Sequence, residues 1–182
     1  MSVGFILFFC SLCFAKNYEK ISESGFGNID NRYAWAMCKF TPDTGDDAER
    51  TFLYVGTRNG ERDGVGELHR MDIETEGWEA VTTTGFGNKT NKGIRNLIVY
   101  ENKYGKALYA VTWSSRRGAQ IFASKTGDRF TWSRVMENGF GNKKNIGILS
   151  VIEYNGYLYC GTGNAETGCS LYRSNDLGNS DS

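Results

Sequence analysis

The chain carries one histidine, His69, and that alone narrows its chemistry. One histidine cannot build both a nucleophilic triad and a metal site. By its place in the chain His69 matches Phe122 and Tyr172, so it reads as a strand residue in an aromatic slot. Asp43, Asp46 and Asp47 lie close together, but they lack the full spacing and closing glutamate of a calcium loop. They read as a solvated acidic loop. Of the five cysteines, Cys10 and Cys13 hold a C-x-x-C spacing only inside an apolar start, so no zinc or redox pair follows from it. Cys38, Cys160 and Cys169 remain, an odd number. The tetrapeptide Gly-Phe-Gly-Asn is rich in glycine, but it leads into a strand rather than a helix, so no helix N-terminus is present to hold a phosphate. No cofactor and no metal is implied.

What is left is a group of cations and one tryptophan: Arg32, Arg58, Lys89, Arg95, Trp113, Lys143 and Lys144. Guanidinium and ammonium groups beside an aromatic face and amide neighbours suit a polar sugar or an acidic partner. They are candidates because of the elements that must position them.

Those elements recur. G-F-G-N-x-x-N stands at residues 25–31, 85–91 and 139–145, and such spacing indicates one structural unit of roughly 55 residues. After each copy comes a β-prone, mostly apolar run: AWAMCKF from Ala34, IRNLIVY from Ile94 and ILSVIEY from Ile148. A second strand follows from Phe52, Ala107 and Tyr157, and a third from Glu67, Gln120 and Ser170. A fourth is expected from Trp78 and Thr131, and Tyr18–Ser24 aligns with it as an orphan fourth strand. Four antiparallel strands with tight turns make a β-propeller blade, so the expectation is an all-β chain of about three blades. Three blades fall below the usual ring. Either the chain is part of a longer propeller, the favoured reading, or two chains form one six-bladed ring as a homodimer.

In a blade, the loop entering the first strand lies at the same end as the loop between strands two and three. The repeated loops therefore belong beside Arg58-Asn59, Trp113-Ser114 and Gly163-Asn164. Phe26, Phe86 and Phe140 are expected as wedges between blades. Asn28, Asn31, Asn88, Asn91, Asn142 and Asn145 are expected to cap loop backbone groups. Cys160 and Cys169, on neighbouring strands of one hairpin, are a possible disulfide.

The turns after the third strands carry a resemblance. Ser174-Asn175-Asp176-Leu177-Gly178 is similar to the first half of an Asp-box, S-x-D-x-G-x-x-W, although Asp181 stands in place of its tryptophan. Ser124–Trp132 is a longer, degenerate copy, and Asp72–Trp78 keeps only an aspartate, a glycine and the tryptophan. The chain thus resembles the Asp-box (BNR, sialidase-like) propellers over about residues 17–178. In that family the box is a folding element at the blade periphery, and its enzymes grip a carboxylate with three arginines. Arg32, Arg58, Arg95 and Arg116 occupy differing places in the repeat, and the family's Arg-Ile-Pro segment is missing. The resemblance therefore implies a non-catalytic module binding a glycan or protein; the alternative is part of a sialidase-like enzyme whose site further blades complete.

Lys+Arg and Asp+Glu both number 21, which gives no global electrostatic reason to seek nucleic acid or anionic lipid. Val3–Ala15 is almost wholly apolar and too short to span a membrane, which fits residues 1–15 as a signal peptide and residues 16–182 as a secreted chain not inserted in the membrane after its removal.

Overall fold

The computed structural model describes residues 18–178. The apolar start and Asp181 lie outside them. The β-prone runs become eleven strands in three meanders. The first unit comprises Asn31–Phe40 (β1), Phe52–Asn59 (β2), Leu68–Asp72 (β3) and Trp78–Thr82 (β4). The second comprises Asn91–Asn102 (β5), Gly105–Ser114 (β6), Ile121–Ser124 (β7) and Ser133–Arg134 (β8). The third comprises Gly147–Tyr154 (β9), Tyr157–Gly163 (β10) and Leu171–Ser174 (β11). Within each unit every strand pairs antiparallel with the next.

Single bridges join the units: Arg58 of β2 opposes Gly93 of β5, and Trp113 of β6 opposes Gly147 of β9. Both glycines are needed for this approach. A Cβ on Gly93 would lie 2.7 Å from the Trp35 ring, and one on Gly147 would lie 2.7 Å from that of Trp113. The fold is all-β, one antiparallel sheet of eleven strands that stays open.

Two apolar cores hold the units together. Phe40, Tyr54 and Leu68 of the first unit pack with Ile94 and Leu108 of the second. Tyr100, Tyr109 and Ile121 of the second pack with Ile148 and Leu158 of the third. Each such side chain, fully buried, contributes roughly 1.5–3 kcal/mol.

Three expectations need correction. Tyr18–Ser24 is not a strand; the carbonyl of Ile21 instead accepts a hydrogen bond from the Trp78 indole N–H at 2.6 Å. The fourth strand from Thr131 shrinks to Ser133–Arg134. Cys160 and Cys169 are free thiols, the first buried and the second exposed. The residue opposite Cys160 is Tyr172, so Cys169 falls beyond the paired part of the hairpin.

The acidic loop is engaged in ion pairs: Asp43 pairs with Lys106, and Asp47 with Arg50 and with Arg70, the latter at 2.8 Å. The turns that resemble Asp-boxes are held by their first residue. Asp72 Oδ1 accepts the amides of Glu74 and Thr75, Ser124 Oγ those of Thr126 and Gly127, and Ser174 Oγ that of Asp176.

Candidate functional site

The three G-F-G-N loops are built alike. Gly25, Gly85 and Gly139 have φ of 63°, 60° and 61°, and the phenylalanines after them 56°, 57° and 56°. Glycine adopts this left-handed region freely; a phenylalanine there is strained and needs compensation. Its ring supplies it. Phe26 stacks on His69 at 4.7 Å, Phe86 on Phe122 at 4.4 Å and Phe140 on Tyr172 at 4.2 Å. Trp78 and Trp132 flank the first two pairs.

The asparagines close the loops. Asn31, Asn91 and Asn145 donate through Nδ2 to the carbonyls of Gly25, Gly85 and Gly139. Asn28, Asn88 and Asn142 accept the amides of Asp30, Thr90 and Lys144. All these side chains satisfy their own unit, which is what a folding motif requires.

Beneath the first loop lies the one buried histidine. His69 Nε2 is 2.9 Å from Glu67 Oε2, and the same carboxylate accepts hydrogen bonds from Asn28 and Asn31. Burial pushes the Glu67 carboxyl up, but the hydrogen bonds from His69, Asn28 and Asn31 outweigh it and leave its pKa lowered. In the second unit Gln120 takes the place of Glu67 and receives Asn88 and Asn91. A carboxylate in one unit and an amide in the next thus hold the loop in the same way. A hollow of about 730 Å3 lies over Phe26, His69 and Trp78, and none of the cations singled out by sequence lines it.

Those cations converge elsewhere, through bulges. In β1 the register passes from Ala34 opposite Thr57 to Ala36 opposite Gly56, leaving Trp35 unpaired. In β5 Arg95 is skipped in the same way, and in β9 Leu149. A bulge re-aims the extra side chain. Here all three sit at the same place in their units, next to the bridges Arg58–Gly93 and Trp113–Gly147. The Arg58 guanidinium carbon lies 5.2 Å from the centroids of Tyr33 and Trp35 and 5.5 Å from that of Trp113. Arg95 lies 5.2 Å from that of Trp35, and the Trp35 and Trp113 rings meet edge to face at 6.1 Å. Trp35, Arg58, Arg95 and Trp113 are half-buried, and Tyr33 is exposed.

Among the described residues neither guanidinium pairs with a carboxylate or donates a hydrogen bond. Two unspent cations wedged among indole rings can take up an anion and stack a flat face beside it.

Of the candidates read from sequence, the structure thus brings Arg58, Arg95 and Trp113 together. Arg32 is set apart by an ion pair with Glu61, and Lys144 by one with Glu166. Lys143 is exposed on its loop. Lys89 lines a separate hollow with Arg62, Lys92 and Arg116. Sequence reasoning missed Tyr33 and Trp35. The signal available was position: Trp35, Arg95 and Leu149 stand at the same place in the three copies of the repeat, each four residues after the last asparagine of its G-F-G-N-x-x-N loop.

No protein-family model matches this chain, and no curated protein matches it.

Proposed function

We propose that this chain is a non-catalytic binding module of an exported protein, built from β-propeller blades whose inner strands are β1, β5 and β9. Its ligand carries an anionic group next to a flat apolar face, as an acidic sugar does. The observation that carries this reading is the convergence of Trp35, Arg58, Arg95 and Trp113 with both guanidinium groups unpaired. The four-stranded meanders and the recurring loop contacts support the blade reading. Bulges at one place in each unit put variable side chains on a common scaffold, an economical way to build a recognition surface. Of the four arginines that a sialidase-like reading would draw on, two lie together and two lie elsewhere. Arg58 and Arg95 share Trp35, Arg32 pairs with Glu61, and Arg116 lines another hollow.

A glycan array probed with the parent protein and with Arg95→Ala tests the proposal. Binding to acidic glycans by the parent, lost in the variant at unchanged thermal stability, is the expected result. Equal binding by both proteins would remove the cluster as the site. Turnover of a bound glycan would replace the module with an enzyme.

A further inference from the structure

The hollow around Lys89 shows a charge pattern that the aromatic cluster does not use. It encloses about 230 Å3 where the second G-F-G-N loop meets the turns after β2 and β6. Four cations line it, Arg62, Lys89, Lys92 and Arg116, against one carboxylate, Asp63. Lys92 Nζ donates to the carbonyls of Arg62 and Gly64, each at 2.6 Å, and so ties the turn after β2 to the rim. Among the described residues Arg62, Lys89 and Arg116 form no ion pair, and neither does Asp63.

A comparison with the other two units shows how this arises. Thr57, Thr112 and Thr162 occupy one place in their units, each hydroxyl donating to the carbonyl of Glu67, Gln120 or Ser170. Four positions after each threonine stand Glu61, Arg116 and Glu166. In the first unit Glu61 pairs with Arg32, and in the third Glu166 pairs with Lys144. Each glutamate neutralises a cation from its own unit's entry. In the second unit the glutamate is replaced by Arg116. One sign change turns a self-neutralised corner into a corner of like charges, and like charges held together cost free energy unless an anion lies between them.

We infer that this hollow is a binding site for a tetrahedral oxyanion, sulfate or phosphate, free or as an ester on a larger ligand. Its volume admits one such group with its first contacts. Lysine and arginine side chains from three separate segments give the convergent donors that a tetrahedral anion needs. Lys92 is next in sequence to Gly93, which opposes Arg58. The oxyanion site and the Arg–Trp cluster thus draw on the same strand, β5, through Lys92 and Arg95, and an extended sulfated sugar could reach both. The inference goes beyond the binding-module reading, because the hollow can hold an inorganic anion whether or not the cluster holds a sugar.

The test follows amide shifts by NMR while the parent protein is titrated with inorganic phosphate, inorganic sulfate, a sulfated tetrasaccharide and its desulfated counterpart. Arg116→Glu, which restores the charge found in the other two units, is the control variant. Saturable shifts at Lys89, Thr90, Ser115 and Arg116 are expected with the anions. Affinity should fall about tenfold or more in Arg116→Glu, and fall with added salt. Tighter binding of the sulfated sugar than of either inorganic ion identifies an ester-bearing glycan as the source; equal binding identifies the free anion. Lys89→Ala gives a second, charge-removing variant should Arg116→Glu misfold. No saturable shift at these residues with any of the anions, or the same affinity in parent and variants, overturns the inference. Loss of sugar binding in Arg95→Ala with phosphate binding retained would leave the hollow standing apart from the cluster.

Discussion

Arg58 and Arg95 share one aromatic ring: each guanidinium carbon lies 5.2 Å from the centroid of Trp35. They reach it from different units, Arg58 at the end of β2 and Arg95 from the bulge in β5. The tryptophan therefore joins the two units and is also the surface on which two cations are arranged.

Removing that ring should disorganise both guanidinium groups at once. Trp35→Ala is expected to weaken ligand binding more than Trp113→Ala, because both arginines lie over Trp35, whereas of the two only Arg58 lies over Trp113. Each cation–π contact at a half-exposed site is worth about 0.5–1 kcal/mol, so a loss of about tenfold is expected for Trp35→Ala. Isothermal titration with the strongest array ligand measures it. A Trp35→Ala protein that binds as the parent does would show that the arginines keep their places without the ring.

The strands were legible because their signals are local and periodic. β2, β6 and β10 were expected from Phe52, Ala107 and Tyr157, and two begin there while β6 starts two residues earlier. The cluster was only half legible, for a physical reason. A run such as Ala34–Phe40 reads as one inner strand only if its alternation is unbroken, and a bulge breaks it at Trp35. A bulge leaves no composition signature, so it becomes visible only when the three units are set side by side. The orphan strand failed differently. Tyr18–Ser24 has a strand-like sequence, but a strand needs a partner ladder, and what ties the segment to β4 is one indole N–H, that of Trp78.

The cysteines give a direct chemical check. Burial pushes the Cys160 thiol up to about 12 and raises that of the half-buried Cys38, partly offset by a backbone hydrogen bond. The thiolate is the reactive form, so Cys160 should resist an aromatic disulfide reagent at pH 8 until the chain unfolds. Cys169 is exposed and should react at once. Peptide mapping of the first-labelled site decides this; rapid labelling of Cys160 would mean that its end of β10 opens readily.

The phenylalanines of the loops can be separated from their backbone strain. Phe86 is half-buried and stacks on Phe122, so Phe86→Ala should cost about 2–4 kcal/mol, toward or below the low end for a fully buried ring. Alanine keeps the left-handed φ of 57°; glycine relieves it. Phe86→Gly should therefore be no less stable than Phe86→Ala, although it lacks a methyl group. Chemical denaturation of the pair measures the difference. A clearly less stable glycine variant would mean that the strain is smaller than the unfolded-state entropy glycine adds.

The Glu67 carboxylate predicts how stability responds to acid. Its pKa is lowered in the folded chain relative to the ordinary 4.5, so the folded state binds its proton less readily than the unfolded state. The stability it contributes is fully present above about pH 4.5 and is lost as pH falls through the lower, folded value. Glu67→Gln removes that titration. The second unit shows that the substitution can be accommodated, because Gln120 Oε1 accepts both Asn88 and Asn91. A glutamine at 67 could accept Asn28 and Asn31 in the same way and donate to an unprotonated His69 nitrogen. At pH 7 the variant should therefore fold, with a cost of about 1–3 kcal/mol if any one of these groups is left unpaired. Below pH 5 its stability should fall less steeply than the parent's, by at most one proton's worth of slope. Urea denaturation at half-unit steps from pH 6 to pH 3 measures both curves. Parallel curves would mean that Glu67 binds its proton equally in the folded and unfolded chain, and would remove the buried carboxylate as the acid-sensitive point of the first loop.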